Sequence, residues 1–224
     1  MTLEWAVLFD LDGTLVDTEG LLREAQLSVL GELGVPASAV PFDELRGQGV
    51  AENLARLCAL TSSPIEPHEL YARVQRRLLT RLRAGVDPLP GADDLLSALR
   101  RERVPCALVS SSYRAVIDVV VPSLARAMFT VTIAGDEVEH PKPHSEPYRV
   151  AAARLGVPPG RCVVIEDSSA GIRSGLSAGC VVVAVAPARE SVALTVDGLS
   201  ELTVERLRRL AGASELTPPA RGPG

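Results

Sequence analysis

The chain has 224 residues, 46% of them hydrophobic, and a formal net charge of −5 at pH 7. This length and composition predict a soluble globular protein, built as one large domain or as a domain with a smaller insertion. The acidic balance, with an isoelectric point near 5.3, argues against general binding to nucleic acids or anionic membranes. Aromatic residues make up only 3%, which removes the stacking platforms that single-strand binders use.

The cysteines are scattered, form no CxxC pair and are expected to be reduced: Cys58, Cys106, Cys162 and Cys180. The apolar run near the amino terminus is too short for a signal peptide or a membrane span, so a cytoplasmic enzyme is expected. No hydrophobic stripe demands a partner, which favours a monomer over an oligomer. The proline- and glycine-rich tail, ELTPPARGPG, is expected to be disordered.

Apolar runs typical of strands recur along the chain at 5–9, 104–110, 129–134, 161–166 and 180–186. None alternates polar and apolar residues, so each predicts a strand buried on both faces. Helical patterns lie between most of them, at 91–102, 146–156 and 169–179. Strands that alternate with helices predict an α/β fold, with a Rossmann-like parallel sheet covered on both sides.

The stretch from 17 to 87 breaks this alternation, because it has helical periodicity throughout and no convincing strand. It predicts an all-helical domain inserted after the first strand, with the return to the core near GVDPLPG. The core would then comprise residues 1–16 and 88–214, and the tail residues 215–224.

The first strand runs into FDLDGTLVD, which carries two aspartates one residue apart. In an extended chain Asp10 and Asp12 lie on the same face, and they stand where a parallel strand ends, the edge at which open α/β sheets bind ligands. Gly13 and Thr14 supply a tight turn. Carboxylates this close repel unless a cation holds them, so Mg²⁺ is implied and one carboxylate is free to act as a nucleophile. A solvated turn with an Asx contact is the alternative.

Two later strand ends also carry polar side chains. Ser110, Ser111 and Ser112 follow the second strand and are expected to open a helix, where hydroxyls and free amides can hold an anion; an ordinary serine N-cap is the alternative. Glu166 and Asp167 end another strand before a helix that starts near residue 168, and they offer further oxygen ligands for Mg²⁺. A helix cap by Asp167 would explain that stretch equally well.

Lys142 is the only lysine of the chain, beside twenty-two arginines. Its loop follows the third strand run, so the fold would bring its compact ammonium to the edge that holds the aspartates. There it can neutralise a phosphate where the broad fork of arginine would crowd the site. Pro141 and Pro143 fix the backbone and exclude the helix that would align His140 and His144 as metal ligands.

The segments DLDGTLVD, KPxxEPY and VIEDSSAG, with the serine after the second strand, resemble the four motifs of the haloacid-dehalogenase-like phosphatase superfamily. The resemblance covers nearly the whole chain in order and spacing, and it likens 17–87 to the small helical cap of that family. It implies that Asp10 is the nucleophile and Asp12 the acid and base. Asp10, the backbone carbonyl of Asp12 and Asp167 would hold Mg²⁺, with Glu166 and Thr14 supporting them from behind.

The same resemblance implies that Ser110, Ser111 and Lys142 hold the phosphoryl group and that Ser112 contributes to specificity. Ser145 stands where many relatives have a second proline, which puts little in doubt. Because dehalogenating members lack the second aspartate, the presence of Asp12 favours phosphate esters.

Within the superfamily, EDSSAG resembles the sugar-phosphatase and β-phosphoglucomutase branch. Mutases carry a histidine near the position of Leu22 and a basic residue in the cap near Val50, although Arg46 could substitute for the latter. A phosphatase of a small phosphorylated sugar or polyol is therefore favoured over a mutase. Arg46 and Gln48 are the candidate cap residues for specificity, with a plain surface turn as the alternative. A non-catalytic protein would be expected to have lost at least one catalytic position, and all are present: Asp10, Asp12, Ser110, Lys142 and Asp167.

Overall fold

The computed structural model describes residues 4–45, 50–62, 64–124, 129–185 and 187–212. The candidate specificity residues Arg46 and Gln48, and the tail at 215–224, lie outside these ranges. Among the described helices, none combines the length and hydropathy that crossing a bilayer requires.

The centre of the molecule is a six-stranded sheet in the order β3-β2-β1-β4-β5-β6, in which every neighbouring pair is parallel. The strands are β1 Ala6–Phe9, β2 Cys106–Val109, β3 Phe129–Ile133, β4 Cys162–Glu166, β5 Val181–Ala184 and β6 Leu194–Thr195. The first five confirm the strands predicted from the apolar runs. The sixth was not predicted, because two residues are too short to carry a pattern.

The sheet is buried through its middle but not at its edge. Strands β1, β2 and β4 are buried at every residue, as their continuous apolar runs predict. The prediction is wrong for β3, which is mostly half-buried because it is an edge strand, with a neighbour on one side only. Each face of the sheet packs against its own apolar cluster.

Helices follow the strands and cover the sheet, and a block of them follows β1. They are α1 Glu19–Glu32, α2 Phe42–Leu45, α3 Val50–Ala59, α4 Pro67–Leu82, α5 Ala92–Arg101, α6 Arg114–Val120, α7 Glu146–Leu155, α8 Ser169–Ser177 and α9 Val204–Leu210.

The block α1–α4 lies in the stretch with unbroken helical periodicity, and α1 packs along α4. Its buried leucines, such as Leu30 and Leu70, belong to the same apolar cluster as Phe9 of the sheet. The chain returns at Leu89, whose backbone N–H donates to the carbonyl of Leu15 (2.8 Å). That this block is a separate cap with boundaries at 17 and 87 stays a prediction.

One local prediction is wrong: residues 110–112 do not open a helix. Helix α6 begins at Arg114, with Tyr113 as its N-cap. The serines instead form a turn in which the backbone N–H of Ser112 donates to Ser110 Oγ (2.9 Å). A serine hydroxyl that satisfies a backbone donor in this way competes with helix formation. The four cysteines are free thiols, as predicted.

Candidate active site

The lone lysine lies at the carboxyl edge of the sheet. Lys142 Nζ donates to Asp10 Oδ1 (2.7 Å), to Glu166 Oε1 (2.6 Å) and to the carbonyl of Val109 (2.8 Å). Its side chain is only 3% exposed. Since these partners end β1, β4 and β2, the loop that follows β3 brings the ammonium across three neighbouring strand ends, as the sequence predicts.

Burial and the neighbouring opposite charge have opposing effects on the pKa values of Lys142 and Asp10. Burial alone would lower the pKa of Lys142, but the carboxylates of Asp10 and Glu166 raise it above its ordinary value, so the lysine is an ammonium. For Asp10, burial raises the pKa, and the carboxylates of Glu166, Asp167 and Asp12 act in the same direction while Lys142 opposes them. A second cation at this edge would therefore favour the ionised form of Asp10.

Glu166 holds the lysine in place. Its Oε1 accepts from Lys142 and from the buried Tyr148 hydroxyl (2.9 Å), and its Oε2 accepts from the backbone N–H (3.0 Å) and hydroxyl (2.9 Å) of Ser168. Gly171 leaves room for it, because a Cβ there would stand 1.6 Å from Glu166 Oε1. With both oxygens bonded, Glu166 is suited to positioning Lys142.

Hydroxyl groups surround the second aspartate of the first motif. Asp12 Oδ2 accepts from Ser110 Oγ (3.1 Å) and Ser112 Oγ (2.8 Å), and Asp12 Oδ1 accepts from the hydroxyl of Thr18. The structure thus brings Ser110 and Ser112 to Asp12, whereas Ser111 lines the pocket beside it. Asp12 lines the pocket, where its carboxyl group can exchange a proton with a bound molecule.

Asp167 is the side chain that best fits a metal. Its Oδ1 is buried and has no hydrogen-bond partner among the residues that the structure describes, and carboxylate oxygens of Asp10, Glu166 and Asp167 lie within 4.8 Å of one another. Burial and the neighbouring Glu166 raise the pKa of Asp167 to about 6. Gly13 (φ 85°) permits this approach, because a Cβ there would lie 2.2 Å from Asp167 Oδ2. An oxygen-lined site in which three carboxylates face a single ammonium fits a hard divalent cation such as Mg²⁺.

Thr14, a predicted supporting residue, is fully buried, and among the described residues its hydroxyl has no hydrogen-bond partner. His140 and His144 lie in the loop before α7, as predicted, with ring centroids 4.7 Å apart. Glu146 accepts from the His140 ring (3.0 Å) and donates its backbone N–H to His144 Nδ1 (3.2 Å). These bonds brace the loop that carries Lys142.

A cavity of about 330 Å³ opens between α1, α3, α4 and the turn that follows β2. Asp12 and Asp167 form part of its floor, and its helical wall is mainly apolar, with Leu22, Leu54 and Leu57 among its side chains. The wall also carries amides, supplied by Gln26, Asn53 and Gln75. A small organic group attached to a phosphate at Asp10 would occupy this space.

Three residues around the site were missed from the sequence: Thr18, Tyr148 and Asn53. Tyr148 belongs to the quoted KPxxEPY stretch, and its position there is the signal that could have found it. Thr18 lies six residues after Asp12, and this spacing follows no periodic pattern that would predict their contact. Asn53 lies on a helix, where nothing in the sequence says which face meets the core.

The chain is similar to one protein family and to several known phosphatases along most of its length. The family model of the haloacid dehalogenase-like hydrolases matches residues 7–185. The chain is 32% identical to hexitol phosphatase A of Escherichia coli K12 over 205 residues, covering 89% of this chain and 93% of that protein. It is also 32% identical to the fructose-1-phosphate phosphatase YqaB of the same organism, over 77% of this chain and 92% of that one. The crystal structure of β-phosphoglucomutase from Clostridium difficile superposes with a TM-score of 0.74 at 25% identity, covering 94% of this chain and 97% of that chain.

The chain therefore belongs to the haloacid dehalogenase-like hydrolase family, in the branch of sugar phosphatases and β-phosphoglucomutase-like proteins. Within that family it is an enzyme of the phosphoric monoester hydrolase class.

Proposed function

We propose that the protein is a Mg²⁺-dependent phosphatase that hydrolyses a small phosphorylated sugar or polyol through a phosphoryl group carried on Asp10. The observation that carries this proposal is the contact of Lys142 Nζ with Asp10 Oδ1 (2.7 Å), beside an Asp12 carboxylate that accepts from serine hydroxyls. Lys142 is thereby placed to offset the charge of a phosphoryl group at Asp10, and Asp12 to exchange a proton with the substrate.

In the first step, Asp10 attacks the phosphorus and the bond to the ester oxygen breaks, while Asp12 gives its proton to the leaving alcohol. In the second, Asp12 takes a proton from a water molecule whose oxygen attacks the phosphorus. The bond between the phosphoryl group and Asp10 then breaks and inorganic phosphate leaves. Lys142 remains an ammonium throughout and offsets the charge on the phosphoryl oxygens, with the Ser110 and Ser111 turn beside it.

Mg²⁺ would be held by Asp10, Asp167 and the backbone carbonyl of Asp12, and when bound it supplies positive charge that offsets the repulsion between phosphate and carboxylates. Glu166 and Thr14 would support these groups from behind without touching the substrate. The buried Asp167 Oδ1, which has no partner in the described ranges, supports this assignment.

A hydrolase is favoured over a phosphohexomutase. Leu22, near the position where mutases carry a histidine, lines the pocket, and the described lining residues include no lysine or arginine to hold a second phosphate. We further propose that 17–87 acts as a cap over the substrate and that the enzyme works as a cytoplasmic monomer.

Phosphate release from a panel of sugar, polyol and nucleotide monophosphates, with Mg²⁺ and with EDTA, tests the proposal. Turnover that needs Mg²⁺ and is lost in Asp10→Asn is expected, with a sugar or polyol phosphate as the fastest substrate. Folded protein that binds Mg²⁺ and releases phosphate from no member of the panel would contradict it, and a mutase assay would follow.

A further inference from the structure

The helical wall of the pocket holds one polar group whose direction is fixed by the protein. Asn53 Nδ2 donates to the carbonyl of Leu45 (3.0 Å). Because a carbonyl can accept only from the NH₂ group of the amide, this bond determines which end is oxygen and which is nitrogen. The bond therefore holds Asn53 Oδ1 on the side of the amide opposite the Leu45 carbonyl.

The oxygen of this amide has no hydrogen-bond donor within the described part of the chain. Asn53 Oδ1 is buried and, among the described residues, accepts no hydrogen bond, although Asn53 lines the pocket. A buried acceptor without a partner is unfavourable, and a bound ligand that donates to it would remove that cost. A ligand hydroxyl would supply the missing donor.

The residues that line the pocket with Asn53 indicate what kind of chemical group carries that hydroxyl. Leu54 and Leu57 lie on the same helix α3 as Asn53 and also line the pocket. Tyr71 and Tyr113 line it too, and the centroids of their rings are 4.8 Å apart. Aromatic rings and leucine side chains favour the CH face of a ring or chain over a charged group. The described lining residues include no lysine or arginine that could pair with a second phosphate.

We propose that Asn53 is a specificity-determining residue, whose Oδ1 accepts a hydrogen bond from a hydroxyl of an uncharged polyol or sugar leaving group. The CH face of that group packs against Tyr71 and Tyr113. This assignment rests on the proposed phosphatase function and narrows it to monophosphates with a neutral, hydroxylated leaving group.

The test compares kcat/KM for the fastest polyol or sugar phosphate of the panel with that for phenyl phosphate, which has a ring and no hydroxyl. Asn53→Leu keeps the size of the side chain and removes the acceptor. Its kcat/KM is expected to fall about 10- to 100-fold on the hydroxylated substrate, the cost of one lost hydrogen bond to a buried group, and to change less than about twofold on phenyl phosphate.

Leu54→Ala is the matched control, because it changes the same wall without touching the acceptor; it should affect both substrates alike. If Asn53→Leu fails to fold, Asn53→Ala makes the same comparison. An equal loss on both substrates, no loss on either, or a wild type that hydrolyses phenyl phosphate but no hydroxylated substrate would overturn the role of Asn53. A wild type inactive on every phosphate ester would instead refute the phosphatase function itself.

Discussion

The carboxyl edge of the sheet and the helical wall that faces it are built in opposite ways. At the edge, Lys142 Nζ has three acceptors within 2.8 Å, and both carboxylate oxygens of Glu166 are bonded. On the wall, apolar side chains predominate, and the buried Asn53 Oδ1 has no partner among the described residues. The groups around Lys142 are paired before a substrate arrives, whereas Asp167 Oδ1 at the edge and Asn53 Oδ1 on the wall have no partner within the described part of the chain.

This difference follows from what each region must recognise. Every substrate of a phosphatase presents the same phosphoryl group, so the groups that bind it gain from being fixed in advance. The leaving group differs between substrates. An apolar wall with one hydrogen-bond acceptor in a fixed orientation selects among these leaving groups. We therefore propose that the edge carries the chemistry and that the wall determines the choice of substrate.

The largest expected effect comes from removing the cation of the edge. Lys142→Met would leave the buried carboxylates of Asp10 and Glu166 without their partner, which costs about 3–5 kcal/mol in the free energy of unfolding. Activity should fall about 10²- to 10³-fold, the contribution of one charge-stabilising donor of this kind. Urea unfolding and steady-state kinetics measure both.

Lys142→Arg should be nearly as inactive, because the guanidinium is too broad for three acceptors in a site this closed. Arg149→Met, which removes an exposed cation from α7, is the control and should be silent. Full activity in Lys142→Arg would show that only the positive charge matters. It would contradict the view that the edge needs a fixed geometry.

A smaller loss is expected when the anchor of the lysine is displaced without changing any charge. In Gly171→Ala the new Cβ would stand 1.6 Å from Glu166 Oε1, so Glu166 must move and Lys142 with it. A displacement of about 1 Å at a catalytic group costs roughly 10²-fold in rate.

Gly31→Ala makes the same substitution in α1, where a Cβ meets nothing within 4 Å. It should stabilise the protein by about 0.5–1 kcal/mol through helix propensity and leave kcat unchanged. Equal behaviour of the two alanine variants in thermal melts and kinetics would show that Glu166 does not hold the lysine.

The smallest expected effect comes from replacing Asp167, which should stabilise the fold but impair function. Its pKa is raised from 3.8 to about 6 by burial and by Glu166, so its ionised form opposes folding. That penalty develops as the pH rises from 3.8 towards 6 and stays constant above it. Metal-free Asp167→Asn should therefore melt roughly 2–6 °C above wild type at pH 7.5 and no higher than wild type below pH ~4.

The same variant should need about 10- to 100-fold more Mg²⁺ for half-maximal activity, because it loses a charged ligand. Thermal melts in EDTA and a Mg²⁺ titration of activity measure the two effects. A variant that is destabilised in EDTA and keeps the Mg²⁺ requirement of wild type would remove Asp167 from the metal site.

The meeting of Asp10 with Lys142 could be predicted from the sequence because the carboxyl ends of parallel strands share one edge. Strand order and the loop after β3 were enough to place both side chains there. The partners on helices could not be predicted in this way: the positions of Thr18 and Asn53 depend on how α1 and α3 pack, and no strand register fixes that packing. Residues 110–112 were expected to open a helix because the sequence gives no sign that Ser110 Oγ accepts from the chain two residues on.

The central claim, that the phosphoryl group passes through Asp10, is tested most directly by a single-turnover reaction with phosphate-labelled substrate, quenched in acid. The account predicts that the protein carries label before inorganic phosphate appears, that hydroxylamine removes it, as expected for an acyl phosphate, and that Asp10→Asn carries none. Labelled inorganic phosphate that appears at the full rate while wild type never carries label would contradict it.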